Sequence, residues 1–214
     1  MKHLILALCG AALLLGCTND NDSLRQLRQV VQPGKVVVSD PRVERLIETK
    51  APRKQVSFER NDLAGVVALE SRRDGIETWL SVDGATLIMQ EGMVIGTRGF
   101  GGGLMASDVA QSLDAVLSGQ GGYTLRFHSF LNGNDETVLR SYKCEVKSLG
   151  SNPATILGEL VPARQMTETC RSLGQVFVNS YWVAEAGGGI IQSRQWLGDF
   201  LGSVTLRDIP QDAF

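Results

Sequence analysis

Residues 74–98 have the sequence DGIETWLSVDGATLIMQEGMVIGTR, and this stretch decides the fold class. It holds three pairs of an acidic residue followed by glycine, which begin at Asp74, Asp83 and Glu91. Such pairs favour tight hairpin turns, because glycine adopts a positive φ without a steric cost. The segments 76–82, 85–90 and 93–98 between and after the turns are rich in β-branched and other apolar residues. The stretch therefore predicts an antiparallel meander of short strands.

Strand-like segments bounded by turn residues continue on both sides of this meander, and they predict a mainly β chain. One long hairpin pairs 123–131 with 137–147, and its alternation places Tyr123, Leu125 and Phe127 on an apolar face. The opposite face is polar, so we expect His128 to lie at the surface. The further predicted strands are 54–59, 65–72, 155–161, 164–170, 175–184, 190–196 and 204–209.

Three short helices are predicted around these strands. Ser23 can cap a helix that ends before Pro33, and Asp40 followed by Pro41 can begin a second one. An inserted helix at about 107–118, capped by Ser107 and followed by glycine, would cover one end of the sheet. The expected body is an extended antiparallel meander sheet that closes into a barrel-like or sandwich-like form, with two short N-terminal helices and one inserted helix.

The N-terminus has the features of a lipoprotein signal. Lys2 precedes an apolar run at 4–15, which is shorter than the roughly 20 residues of a membrane-spanning helix. Residues 14–17 (LLGC) resemble a lipobox, whose cysteine carries the acyl chains after cleavage. We expect 1–16 to be a removed signal peptide, Cys17 the lipidated residue, 17–22 a tether and 23–214 a single β-rich domain. The alternative is an ordinary signal peptide with an incidental cysteine.

The residue after Cys17 indicates the destination of the lipoprotein. Thr18 stands where an enteric inner-membrane lipoprotein would often carry aspartate, so by resemblance to that sorting rule we expect an outer-membrane anchor. Two or three acyl chains make such an attachment effectively permanent.

The net charge limits the classes of binding partner, and the cysteine content predicts a disulfide. Removal of 1–16 takes away only Lys2, so the 21 basic and 23 acidic residues become 20 and 23, a net charge of −3. This balance gives no electrostatic footprint for nucleic acid. Cys9 leaves with the signal and Cys17 is acylated, so Cys144 and Cys170 remain in an oxidising compartment. We expect a disulfide between them; two separate buried thiols are the alternative.

Catalytic, cofactor and metal sites are not predicted. His128 is the only histidine beyond the signal, so a Ser-His-Asp triad would have to use it, and a zinc site lacks ligands. The glycine-rich stretch 99–103 lacks the Gly-Lys-Ser/Thr of a phosphate loop and is better explained by backbone geometry. A pair of carboxylates could serve a glycosidase, but no spacing distinguishes one among Asp62, Asp83, Glu91, Asp135, Glu159, Glu168 and Glu185.

Aromatic residues supply the candidate binding surface. Trp182 and Trp196 lie in the last predicted hairpin, with Gln195 and Arg98 as polar neighbours. Sugar rings stack on such side chains, although tryptophan in a strand is more often part of the core. We therefore favour a core role for the tryptophans, with a binding surface formed by these four residues as the alternative and as the candidate functional surface.

Several segments, in this order and spacing, make the chain similar to a known family. It resembles the YjbF/GfcB lipoproteins associated with exopolysaccharide and group 4 capsule loci, over most of 54–209. The segments are the lipobox, 78–81 (TWLS) with the turn at 83–84, 92–100 (GMVIGTRGF) followed by Leu104, 140–144 (RSYKC), 168–170 (ETC), 179–183 (NSYWV) and 193–198 (SRQWLG).

The resemblance implies a β-rich, YmcC-like body that is anchored to the outer membrane and faces the periplasm. It implies no known catalytic residue. It also implies an accessory role in making or exporting extracellular polysaccharide, beside an outer-membrane barrel protein and a polysaccharide-export protein. Our expectation is a non-enzymatic lipoprotein that works through protein contacts. A glycan-binding module that contacts the polysaccharide directly is one alternative, and a glycan-modifying enzyme is another.

Overall fold

The three acidic-residue–glycine pairs lie in tight turns in the computed structural model, which describes residues 40–60, 63–131, 134 and 136–213. Asp74 and Gly75 have φ values of 50° and 78°, and Glu91 and Gly92 have values of 46° and 90°. Two successive residues with positive φ match the right-handed twist of the strands that they join. These turns therefore produce the predicted meander.

The elements, labelled in chain order, are fourteen strands and two α-helices within the described residues. Strands make up most of the described residues, which confirms a mainly β fold. The bounds are α1 Pro41–Glu48, β1 Arg53–Phe58, β2 Leu63–Arg73, β3 Ile76–Ser81, β4 Thr86–Gln90, β5 Met93–Arg98, β6 Leu104–Asp108, α2 Ala110–Ser118, β7 Gly122–Leu131, β8 Thr137–Ser151, β9 Ala154–Ile156, β10 Glu159–Val161, β11 Ala163–Ser172, β12 Gln175–Ala184, β13 Ile190–Trp196 and β14 Ser203–Ile209.

Twelve strands form one antiparallel sheet that is nearly closed into a barrel. Its order is β5-β4-β3-β2-β1-β14-β13-β12-β11-β8-β7-β6, and β9 and β10 form a separate hairpin. The two end strands, β5 and β6, lie side by side and are joined by side chains. Thr97 Oγ1 donates to Leu104 O at 3.2 Å, and Arg98 Nη1 donates to Met105 O at 3.1 Å. Arg98 therefore lies at the seam of the barrel.

The helices agree with the sequence predictions in part. Asp40 caps α1 as expected, because its Oδ1 accepts from the Arg42 backbone N–H at 2.9 Å. The helix predicted after Ser23 lies outside the described residues. The inserted helix was predicted to begin at Ser107, and this is wrong, because Ser107 belongs to strand β6, which pairs with β7 and was not predicted. Helix α2 begins three residues later and packs against the interior through Val109, Leu113 and Val116.

Two strand predictions are corrected. The segment 155–161 was predicted as one strand, but a turn at Leu157 and Gly158, both at positive φ, divides it into β9 and β10. The alternation in β7 is correct, but its orientation is the reverse of the expected one. Tyr123 is 72% exposed, whereas Arg126 and His128 are each 2% exposed. The polar face of β7 therefore points into the barrel, and His128 is not a surface residue.

Candidate functional site

A disulfide braces the wall of the barrel. Cys144 on β8 and Cys170 on β11 are direct partners in the antiparallel register, with Cα atoms 4.0 Å apart, and their sulfurs are bonded. This confirms the pairing expected from the sequence. The bond also removes both thiolates as metal ligands, although these cysteines and Glu168 lie close together.

A buried polar network crosses the interior between β7, β11 and β12. Arg126 Nη1 lies 2.5 Å from Glu168 Oε2, and Tyr181 Oη donates to the same oxygen at 2.9 Å. Asn179 Nδ2 also donates to Glu168 Oε2, at 2.8 Å, while its Oδ1 accepts from the Trp196 backbone N–H. The network thereby ties β7 to the hairpin of β11 and β12, which lies more than 30 residues further along the chain.

The electrostatics of this network keep its charge fixed. Burial lowers the pKa of the Arg126 guanidinium, but the adjacent Glu168 carboxylate, together with Tyr181 and Asp108, more than offsets this, so the pKa is raised overall. Burial raises the pKa of the Tyr181 hydroxyl, which therefore remains a hydrogen-bond donor. Because these groups are paired inside the barrel, they serve as structural members rather than as groups open to a substrate.

His128 lies among aromatic rings rather than beside a catalytic partner. Its ring centroid lies 5.1 Å from that of Tyr142 and 5.7–5.8 Å from those of Phe130, Phe177 and Trp196. Burial, with a contribution from the Arg126 charge, lowers the pKa of His128 to about 3. The imidazole is therefore neutral near pH 7.

A groove of about 200 Å³ opens at the edge of this aromatic cluster, and we call it the Trp196 groove. Trp196 is half-buried there and stacks on Phe177 with their centroids 4.5 Å apart. Phe130 forms an edge contact with Trp196, and Phe200 adds a third ring that is 57% exposed. The groove therefore has an aromatic wall supported from the core behind it.

Polar side chains joined by hydrogen bonds form a polar edge of the Trp196 groove. Arg140 and Asp199 line it, and both contact Gln175. Arg140 Nη1 donates to Gln175 Oε1 at 3.0 Å, and Gln175 Nε2 donates to Asp199 Oδ1 at 3.0 Å. Tyr142 Oη donates to Gln175 Oε1 at 2.5 Å, and burial raises the pKa of this hydroxyl. Donors and acceptors are thus arranged beside the rings before any ligand arrives.

The glycine-rich stretch 99–103 shapes this groove, as the structural explanation of its glycines predicted. An added Cβ at Gly101 or Gly102 would lie 3.1 Å from the ring of Phe200, and one at Gly103 would clash with Thr97. Gly101 also has a φ of 82°. The loop is therefore glycine-rich because it passes directly beneath the exposed ring of Phe200.

A larger cleft, of about 630 Å³, opens elsewhere on the barrel. Lys54 pairs with Asp208 there and lies 4.8 Å from the centroid of Trp79. Trp79 is buried, and its Nε1 donates to Glu77 Oε2 at 2.9 Å. Some acidic and basic side chains of this cleft thus pair with each other, and its tryptophan belongs to the core.

The four residues of the predicted binding surface lie in different environments. Gln195 is 2% exposed, and its amide bonds the Val94 N–H and the Gly92 carbonyl at 2.9 and 2.8 Å. Trp182 is half-buried against Ala154, Ile156 and Ala163, whereas Arg98 lies at the seam. Only Trp196 lines the Trp196 groove.

The polar edge of the groove was not anticipated from the sequence. Arg140, Gln175 and Asp199 come from β8, β12 and the loop after β13, and no local pattern links them. Arg140 alone could have been singled out from the sequence, because it precedes Tyr142 and Cys144 in a segment that resembles the family. The carboxylates proposed for a glycosidase include Asp62 and Asp135, which lie outside the described residues.

Cys17 also lies outside the described residues, so its lipidation and the boundaries at 16, 22 and 23 stay predictions. Among the residues that are described, no helix is both long and apolar enough to cross a bilayer.

Comparisons with known proteins agree with the fold and identify the family. The hypothetical lipoprotein YmcC from Escherichia coli (K12) has a similar solved structure, with a TM-score of 0.68 and 20% sequence identity. The similarity covers 88% of this chain and 94% of that one. No curated protein matches the chain. Residues 20–208 match the family described as "Group 4 capsule polysaccharide lipoprotein gfcB, YjbF". The chain therefore belongs to the YjbF family of capsule polysaccharide lipoproteins.

Proposed function

We propose that this protein is an outer-membrane-anchored periplasmic lipoprotein that serves as a non-enzymatic accessory in producing or exporting capsule polysaccharide. The observation that carries the proposal is the family match, which extends over residues 20–208 and so includes nearly all of the described barrel. The partners we propose are an outer-membrane barrel protein and a polysaccharide-export protein, reached through contacts of the barrel surface.

The state of the buried ionisable groups supports a non-enzymatic role. Glu168 is fully buried and paired with Arg126, so it has no access to a substrate. His128 is enclosed by aromatic rings, and its low pKa makes it a poor general base at neutral pH. Glu168 and His128 thus belong to the packed interior of the barrel rather than to a site open to a substrate.

The lipobox-like segment supports the anchor. Cys17 would carry the acyl chains, and Thr18 favours the outer membrane over the inner one. An accessory held permanently at that membrane would stay beside export proteins of the same membrane, which raises its effective concentration there.

Direct contact with the polysaccharide is the second candidate function, and the Trp196 groove favours it. Exposed aromatic rings next to fixed hydrogen-bonding groups are suited to sugars, which present both apolar C–H faces and hydroxyl groups. The proposed accessory role and this contact are compatible, because an accessory can guide the polymer without altering it.

A deletion strain tests the main proposal. Secreted and periplasmic polysaccharide would be measured after complementation with the native chain or with Cys17→Ser behind a cleavable soluble signal. We expect loss of secreted polymer with accumulation in the periplasm, rescued fully only by the acylated chain.

Two other results would change the proposal. Unchanged polymer in both compartments would overturn the accessory role. Equal rescue by Cys17→Ser, with both proteins at matched levels on immunoblots, would retain the role and reject the need for the anchor.

A further inference from the structure

We infer that the Trp196 groove binds one neutral sugar ring of the polysaccharide, with Phe200 as the stacking residue and Arg140 and Asp199 as the hydroxyl-binding residues. This inference rests on the proposed function, because it names the ligand that an accessory of polysaccharide export would hold.

The size of the groove indicates one ring rather than a long segment of polymer. Its volume is about 200 Å³. Pockets for drug-sized ligands have volumes of roughly 300–1,000 Å³. A site below that range encloses one ring, and the neighbouring sugars of a chain would extend into solvent on either side.

The aromatic wall suits the apolar face of a pyranose. Phe200 is 57% exposed, so part of its ring is accessible to a ligand. Its ring is nevertheless held in place, because the backbone of Gly101 and Gly102 lies directly against it. Trp196 continues the wall and is fixed by its stacking on Phe177. A ligand therefore loses little free energy in ordering these rings.

The polar edge supplies complementary groups for sugar hydroxyls. The Arg140 guanidinium has five N–H donors, of which Nη1 contacts Gln175 and approaches Asp199 Oδ2 at 3.7 Å. Asp199 keeps acceptor capacity, since Gln175 bonds only its Oδ1 at hydrogen-bond distance. A donor and an acceptor side by side match two adjacent hydroxyls of one sugar.

The charge balance of this edge favours a neutral sugar. The groove is lined by one cation, Arg140, and one anion, Asp199, which lie close enough to offset each other. A uronic acid or a phosphorylated sugar would bring a second negative charge beside Asp199, which is unfavourable.

Binding of defined fragments tests the inference. The probe is the surface polysaccharide of the strain that encodes the chain, purified and hydrolysed to fragments of one to four repeating units. The protein is the complete lipidated chain in nanodiscs, and affinity is measured by isothermal titration calorimetry. We expect Phe200→Ala and Arg140→Ala each to weaken binding by roughly tenfold or more, since each removes one main contact.

Matched controls lie on the outer face of the barrel. Tyr123→Ala removes an exposed aromatic ring from β7, and Arg171→Ala removes an exposed cation from β11. Both should bind the fragments with unchanged affinity. All four side chains are exposed, so each variant should keep the fold, which a far-UV circular dichroism spectrum that matches the native one would show.

Two results would overturn the inference, and neither is the result that overturns the proposed function. One is no binding of any fragment by the folded native chain. The other is binding that both groove variants retain in full, which would place the sugar elsewhere. Unchanged polymer in the deletion test would overturn the accessory role, whereas these results concern the groove alone.

Discussion

Arg126 Nη1 lies 2.5 Å from Glu168 Oε2 inside the barrel, although the two residues are 42 positions apart in the chain. Neither side chain reaches solvent, since their exposed fractions are 2% and 0%. A charge pair of this kind loses its hydration on folding and depends on the partner for compensation. The wall formed by β7, β8, β11 and β12 is therefore sensitive to the loss of either member.

Removal of one member of the Arg126–Glu168 pair should lower the free energy of unfolding far more than replacement of both by apolar residues. Glu168→Ala should lower the free energy of unfolding by about 3–5 kcal/mol, because it leaves the Arg126 charge buried and unpaired. The double variant Arg126→Met/Glu168→Leu should lose less than either single truncation. Urea denaturation followed by circular dichroism measures this, with Glu145→Ala on the outer face as the control. A double variant that loses the sum of both single effects would contradict the coupling.

The stability of the protein should fall in mild acid because of His128. Its pKa is about 3 when folded and 6.5 when unfolded, so between these values the unfolded chain binds one more proton. The contribution of the neutral, buried His128 to the free energy of unfolding is complete above pH 6.5 and decreases by about 1.4 kcal/mol for each pH unit below it. At pH 5 the loss should be roughly 2 kcal/mol.

The variant His128→Phe isolates this effect. It should retain the acid sensitivity of the carboxylates but lose the slope that His128 supplies between pH 6.5 and pH 4. The free energy of unfolding, measured in urea at half-unit pH intervals, gives both slopes. Parallel pH profiles for the two proteins would show that the imidazole is accessible to protons in the folded barrel.

Loss of the disulfide should destabilise the barrel without unfolding its strands at moderate temperature. Cys144 and Cys170 are 26 residues apart, and closing a loop of that length stabilises by about 3.5 kcal/mol in the chain-entropy model. The variant Cys144→Ala/Cys170→Ala should show this loss in urea denaturation. Reduction of the native chain with dithiothreitol should approach the same value, whereas the reductant should leave the double variant unchanged.

Substitution of Gln195 should affect stability rather than ligand binding. Gln195→Leu removes the hydrogen bonds to Val94 N and Gly92 O and leaves both backbone groups buried without a partner, at about 2–4 kcal/mol. Gln120→Leu, in an exposed turn, should change the free energy of unfolding by less than about 0.5 kcal/mol. A direct role of Gln195 in the binding surface would instead appear as weaker polysaccharide binding by fully folded protein.

Local chemistry explains why so many element bounds were predictable. Strands β5, β12 and β13 have the predicted bounds, because glycine turns and β-branched residues mark the ends of each segment. Strand β6 was missed, because the glycines at 101–103 and the polar residues at 107 and 108 give it no clear alternation. The segment is a strand because it pairs with β7, not because of a local sequence pattern.

The functional site was less predictable, since its residues share no local pattern. Trp196 could be singled out as an aromatic residue in a hairpin, and it does line the groove. Gln195, its neighbour in sequence, points into the barrel and bonds the backbone of 92–94 instead. Phe200 had no distinguishing signal, because its importance comes from the glycine loop that supports it.

The sequence alone determined the lipoprotein-like N-terminus, the meander of short strands, the two alternating faces of β7 and the pairing of the last two cysteines. These depend on residue type, local spacing and the count of cysteines. Only the tertiary structure decided which face of β7 is buried, because alternation defines two faces but not their direction. Closure of the sheet places Glu168 opposite Arg126, and this pairing compensates for the hydration that Arg126 loses when the polar face of β7 is buried. Tyr123, on the other face, remains in solvent.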